Sequence, residues 1–232
     1  MSLIKRFTSG SHNPKDGFDS AWYKFKYLRD NPTYFDPDGI WIYCGPQGSG
    51  KTLSMIQTAR QIKDWYPHVR VISNINFEFM DGTEPEPFTS YDQITNEDNG
   101  IEGLMFVLDE IHVLWNSLES KNIPISEMSS LCQMRKSRRL ILGTSQVYSR
   151  IAKPIREQLK YVILCKSHLG MIQENVIGDP AYSSEINGHV FPEIIATRFF
   201  FHTTELYKSY KTFDKVQRIE RTQKQLRGVY RG

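Results

Sequence analysis

The chain has 232 residues, of which 39% are hydrophobic, 24% charged and 12% aromatic, a make-up that excludes collagen-like, mucin-like and disordered classes. The net charge of +3 is too small to point to a nucleic-acid partner by itself, but it is unevenly spread: residues 205–232 carry eight Lys or Arg against three Asp or Glu. No apolar run approaches the roughly 18 uncharged residues of a membrane-spanning helix, and residues 1–16 lack the apolar core of a secretory signal, so the chain reads as cytoplasmic with no transmembrane segment of its own. Three cysteines at no metal-like spacing, Cys44, Cys132 and Cys165, agree with a reducing compartment.

Residues 1–38 are aromatic and polar, punctuated by Asn13-Pro14, Asn31-Pro32 and Asp36-Pro37, and read as a lead-in with one short helix over 20–28. Residues 39–44 then form a β-rich run that stops at a glycine-rich turn, and 51–64 show helical apolar spacing at Leu53, Ile56, Ala59 and Ile62. Further strands are expected at 69–75, 103–109, 139–144 and 160–165, with helical stretches before the last two. Alternating strands and helices predict an α/β fold, a mainly parallel sheet flanked by helices. The acidic, turn-rich stretch 81–103 reads as a solvated loop. Residues 171–177 and 194–201 read as two strands bridged by a loop, a β addition from about residue 170. The domain is thus expected over 39–204, with a basic tail over 205–232.

The loop after the first strand, Gly45-Pro46-Gln47-Gly48-Ser49-Gly50-Lys51-Thr52, fits the Walker A pattern G-x-x-x-x-G-K-[ST] in full, with a strand before it and a helix after it. Glycines let successive N–H groups curl inward onto phosphates, and the helix beginning near Lys51 adds its positive end. Lys51 is expected to reach the β- and γ-phosphates of ATP, and Thr52 to ligate Mg²⁺. The apolar strand Leu104-Met105-Phe106-Val107-Leu108 ends in Asp109-Glu110, a Walker B pattern that places Asp109 on the metal and Glu110 on the attacking water. An acidic pair capping the next helix is the bland alternative.

Asp109-Glu110-Ile111-His112 also fits the helicase D-E-x-H box, but nothing after residue 170 is long enough for a second RecA-like domain, and His112 reads as an ordinary first-turn residue. No Asn-Lys-x-Asp motif supports a GTPase, and a small-molecule kinase would leave the Asp-Glu pair unexplained. Residues 135–146 place a basic cluster before the fourth strand and Gln146 just after it, beside the P-loop, where a neutral amide can sense the γ-phosphate. The cluster faces away from its own nucleotide, so an arginine there acts only on a neighbouring subunit, in a ring. A solvated basic face stays open for Arg138 and Arg139.

Walker A, a strand-terminal Asp-Glu and an Arg some eleven residues before a strand-ending Gln together resemble the FtsK/HerA superfamily of ring-forming P-loop DNA translocases. Within it the chain looks most like the zonula-occludens-toxin-like ATPases, relatives of the filamentous-phage assembly protein. The loop 45–52, Leu108 to His112, residues 135–146 and the aromatic segment 199–210 carry the match, which spans roughly 38–210. The resemblance implies a RecA/ASCE-like fold, Arg135 as a finger in trans, Gln146 as sensor, and a homo-oligomeric ring, taken as a hexamer, in the host cytoplasm. Filamentous-phage members usually continue into a transmembrane helix, whereas this chain reads as ending in a soluble basic tail, which also makes it similar to viral genome-packaging ATPases. Filament extrusion and capsid filling both stay open.

Within the tail, Lys215, Arg218, Arg221, Lys224, Arg227 and Arg231 recur every three or four residues, a basic stripe along a helix that suits phosphates, an acidic partner or an anionic membrane surface, with a merely solvated tail as the alternative. The chain is therefore expected to be an ATP-hydrolysing motor that moves viral DNA, with a capsid or membrane assembly protein as further partner. The alternative is an ATP-binding switch or adaptor with slow hydrolysis.

Overall fold

The computed structural model describes residues 22–23, 26–27, 29–186 and 188–210. The chain divides into two compact units, Met1–Tyr34 and Phe35–Gly232. In the first, Trp22, Tyr23, Lys26, Tyr27, Arg29 and Asp30 are helical, and the rings of Tyr27 and Tyr34 meet edge to face at 5.6 Å. The basic stripe from Lys215 to Arg231 lies outside the described residues.

The second unit is built on an eight-stranded sheet. Its strands are β1 (Gly39–Cys44), β2 (Arg70–Ser73), β3 (Glu86–Pro87), β4 (Leu104–Leu108), β5 (Arg139–Ser145), β6 (Leu159–His168), β7 (Ile172–Ile186) and β8 (His189–Phe201), in the order β3-β2-β4-β5-β1-β6-β7-β8. Pairings from β3 through β6 are parallel, and β6-β7 and β7-β8 are antiparallel. The fold is therefore the expected α/β class. Because β1 lies between β5 and β6, the carboxyl ends of β1, β4 and β5 reach one edge of the sheet, the crevice where open α/β folds bind ligands.

Both faces of the central strands are buried, as parallel strands require. Ile40, Ile42, Phe106, Leu108 and Ile141 pack on one face with Trp115, Tyr91 and Ile94, and Tyr43, Met105, Val107, Leu140 and Leu142 pack on the other. The second face is covered by α1 (Lys51–Trp65), which buries Leu53, Met55, Ile56, Ala59 and Ile62, the stripe read from the sequence with Met55 added. β2 is shorter than the expected 69–75 because the Ser73 hydroxyl accepts the Ile75 N–H and turns the chain. Cys44 and Cys165 are buried thiols, and Cys132 is exposed.

Three expectations are corrected. Residues 81–103 are not a plain solvated loop: they contain β3 and the helix α2 (Asp92–Asn96), and they insert Phe88, Tyr91 and Ile94 into the core. The residues between 177 and 194 are not a bridging loop but the arms of the β7-β8 hairpin, the register shift between Asp179 and Ser184 absorbing the Pro180 signal and Gly188 sitting at φ +79° beside the turn. Arg139 is not on a solvated face. Its guanidinium is buried and donates to the carbonyls of Ile94 (2.6 Å) and Glu97 (2.5 Å) at the carboxyl end of α2, where a cation complements the helix dipole.

The remaining helices are short: α3 (Ile111–Leu114), α4 (Ile125–Cys132), α5 (Lys153–Arg156) and α6 (Thr204–Lys208). Arg135 is exposed in the turn between α4 and β5. Replacing Arg139 by Leu leaves those carbonyls buried and unpaired, and urea denaturation should show a loss of roughly 2–3 kcal/mol. Arg135→Ala should leave the midpoint unchanged.

Candidate functional site

The loop between β1 and α1 turns through Gly48 and Gly50, at φ +78° and +80°. Gly50 is favoured by its left-handed φ, and a Cβ there would lie 2.0 Å from Gln173 Oε1 and displace that side chain. The Lys51 ammonium folds back onto its own loop and donates to the Pro46 carbonyl at 2.8 Å. Burial pushes Lys51 below its ordinary pKa, partly offset by Cys165, Asp109 and Glu110. The Ser49 hydroxyl is buried with no hydrogen-bond partner among the described residues. A bound phosphate would supply a counter-charge to Lys51, which lines the cleft with Gln47, Gly48, Gly50 and Thr52, so this loop fits a polyphosphate.

At the end of β4, Asp109 is clamped through its backbone. Its N–H donates to Asn74 Oδ1 (2.7 Å), and Asn74 Nδ2 donates to its carbonyl (2.9 Å). Its Oδ1 accepts from the hydroxyls of Thr144 (2.6 Å) and Thr52 (3.0 Å). Burial pushes the Asp109 carboxyl up despite the lowering effect of those two hydroxyls, a bias that a divalent cation would reverse. Thr52 and Asp109 thus bring together oxygen ligands of the kind Mg²⁺ takes alongside phosphate and water.

Glu110 caps α3 in the left-handed conformation, φ 51° and ψ 50°, which is costly for a residue with a Cβ and is found at functional sites. Its N–H donates to Thr144 Oγ1 at 2.9 Å, and its Oε1 accepts from Gln146 Nε2 at 2.9 Å. His112 Nε2 lies 3.9 Å from Glu110 Oε2, and burial pushes the imidazole below its ordinary pKa, partly offset by Glu110.

A single cleft of about 440 Å³ therefore gathers Gln47, Gly48, Gly50, Lys51 and Thr52 with Asp109, Glu110 and Gln146. Gly45 and Ser49 belong to the same loop. Arg135 does not join them: it precedes the amino end of β5, whereas Gln146 follows the carboxyl end. Among solved structures, the N-terminal domain of zonular occludens toxin from Neisseria meningitidis superposes with a TM-score of 0.53 at 13% identity, covering 75% of this chain and 98% of that one. This is a P-loop NTPase fold.

A second solved ATPase domain superposes with a TM-score of 0.50 at 10% identity, over 85% of this chain and 98% of that one. The genome packaging NTPase B204 from Sulfolobus turreted icosahedral virus 2, solved with ATP-gammaS, gives 0.49 at 10% identity over 68% and 97%. At 10–13% identity, the likeness to the toxin domain and the second ATPase domain is one of fold, the fold that the resemblance to zonula-occludens-toxin-like ATPases implies. No protein-family model matches the sequence. No curated protein matches it either.

Four residues of this P-loop site escape sequence reasoning. Thr144 and Asn74 lie close enough to the ends of their strands that strand-end polar residues could have flagged them. Gln173 and Asn175 carry no local signal, because their roles come from the hairpin folding back on the loop: Gln173 Nε2 donates to the Ser49 carbonyl (3.0 Å), and Asn175 Oδ1 accepts from the Ser54 hydroxyl (3.0 Å) in the first turn of α1. Thr144→Val keeps the shape and removes the hydroxyl that serves both Asp109 and Glu110. Denaturant titration should register a loss of about 1–3 kcal/mol.

Proposed function

We propose that this chain hydrolyses ATP and works as a ring-forming motor on the DNA of a phage or mobile element, in genome packaging or virion assembly. The observation that carries the reading is the meeting of a complete phosphate loop with the Asp109-Thr52 oxygen pair and the Glu110-Gln146 pair in one cleft. A loop alone would serve a binding switch. A strained glutamate beside the loop is what hydrolysis needs in addition.

In this mechanism Lys51 exchanges the Pro46 carbonyl for the β- and γ-phosphates, and the loop N–H groups hold the triphosphate in place. Thr52 and Asp109 would hold Mg²⁺, which draws charge from the phosphate oxygens when bound. Glu110 orients and polarises the attacking water. Gln146 fixes one Glu110 oxygen by hydrogen bonding, leaves Oε2 for the water, and senses the γ-phosphate. Arg135, exposed and away from its own cleft, reaches a neighbouring subunit's nucleotide as a finger in trans. The basic charge at 205–232 supports contact with a phosphate backbone, and no helix among the described residues is long and apolar enough to cross a membrane.

Steady-state ATP turnover, alone and with linear duplex or single-stranded DNA at low salt, tests the reading. Turnover should rise with DNA, vanish in Lys51→Ala, and fall by roughly a hundredfold or more in Glu110→Gln while ATP binding persists. Arg135→Ala should be inactive alone and should poison wild-type subunits on mixing. Turnover indifferent to DNA and to Glu110→Gln would favour the switch or adaptor, and full activity of isolated Arg135→Ala would remove the finger.

A further inference from the structure

The phosphate-facing half of the cleft is accounted for, but its other wall is not. Asp109, Glu110 and Gln146 lie at the ends of β4 and β5, on one side of β1, and they fix where the terminal phosphate must sit. The lining left for a nucleoside comes from the end of β6, the turn after it and the segment that follows β8. That wall is made by Ser167, Gly170, His202, Tyr207 and Tyr210.

Residues 202–210 are fastened at both ends. At the first, Gln173 is completely buried, donates from Nε2 to the Ser49 carbonyl, and so turns Oε1 toward His202 Nε2 at 3.1 Å. On its other nitrogen, His202 Nδ1 lies 2.7 Å from the Tyr207 hydroxyl and 3.0 Å from the Gly170 carbonyl. At the other end, the Glu78 N–H donates to the Ser209 carbonyl at 2.7 Å, and Tyr210 pairs with Phe77 in an isolated antiparallel bridge. The segment therefore spans from the hairpin to the chain beyond β2, across the mouth of the cleft.

Within it, packing and display are divided. Thr203 Oγ1 accepts the Leu206 N–H and starts α6, and Leu206 and Ser209 are buried at 1% and 8% exposure. Tyr207 does none of that packing. It lines the cleft, is 45% exposed, stands edge to face with the His202 ring at 5.6 Å, and has its hydroxyl 2.7 Å from His202 Nδ1. An aromatic ring tethered through His202 and Gln173 to the phosphate loop is a stacking surface for a planar base.

We propose that residues 202–210 form the nucleoside end of the site, with Tyr207 stacking on the base of a nucleoside triphosphate and His202 as the positioning residue behind it. This rests on the triphosphate-site reading above and adds that the chain binds a nucleotide better than the bare phosphate chain. Because stacking uses a face that every base has, ATP should be preferred to inorganic tripolyphosphate far more strongly than to other nucleoside triphosphates.

Calorimetric titration of the full chain in magnesium with ATP and with inorganic tripolyphosphate tests it. Tyr207→Ala should weaken ATP roughly tenfold and leave tripolyphosphate within about twofold, Tyr207→Phe should retain most of the ATP affinity, and Lys51→Ala should weaken both ligands. Equal loss of both ligands in Tyr207→Ala would make Tyr207 a structural residue and overturn the proposal, as would no loss of ATP. Tripolyphosphate bound as tightly as ATP by the wild-type chain would overturn it while sparing the phosphate loop. Failure of the wild-type chain to bind either ligand would overturn the triphosphate site itself.

Discussion

A carboxylate at the end of a wholly buried strand is the constraint around which this molecule is arranged. Every side chain of β4 from Leu104 to Leu108 is excluded from solvent, and the next residue is an aspartate that cannot be left unsolvated without several kcal/mol of cost. The cost is met locally. Thr52 arrives from the first turn of α1, Thr144 from β5, and Asn74 closes both backbone polar groups of Asp109. These partners come from three different parts of the chain, so the sheet register, the P-loop and the carboxylate are fixed together. The same Thr144 hydroxyl accepts the Glu110 N–H and helps hold Glu110 in its left-handed conformation.

That arrangement explains why the chemistry-bearing parts were legible in the sequence. The glycine pattern, the lysine and the apolar strand ending in Asp-Glu are local demands, imposed by backbone curvature and by burial on both strand faces. Their positions agree with the structure to within a residue or two. Gln146 was legible for a related reason: a polar residue directly after a buried strand must emerge at the sheet edge.

What was not legible depends on contacts far apart in the chain. Arg139 reads as one of a run of basic residues, and only the fold shows that it lies beneath the carboxyl end of α2, 42 residues from the Glu97 carbonyl it meets. The turn-rich residues 81–103 are polar on average yet deliver Phe88, Tyr91 and Ile94 to the core, because burial there is decided by a few aromatic and aliphatic positions. The β7-β8 hairpin looked like two separate strands because Gly178 and Pro180 signal a turn, and the structure places them in a bulge instead. Its inner residues Gln173 and Asn175 are polar because they face the P-loop and the first turn of α1, an environment no periodicity can reveal. The hairpin thus buttresses the P-loop and the start of α1.

The central claim is that this buried junction handles a metal-bound triphosphate. ATP hydrolysis titrated with magnesium, comparing the wild-type chain with Asp109→Asn, tests it most directly. The account predicts phosphate release that saturates with magnesium and falls by roughly a hundredfold in Asp109→Asn, whose fold is kept by the same hydroxyl and amide contacts. Hydrolysis that ignores magnesium, or that survives the substitution unchanged, would contradict it.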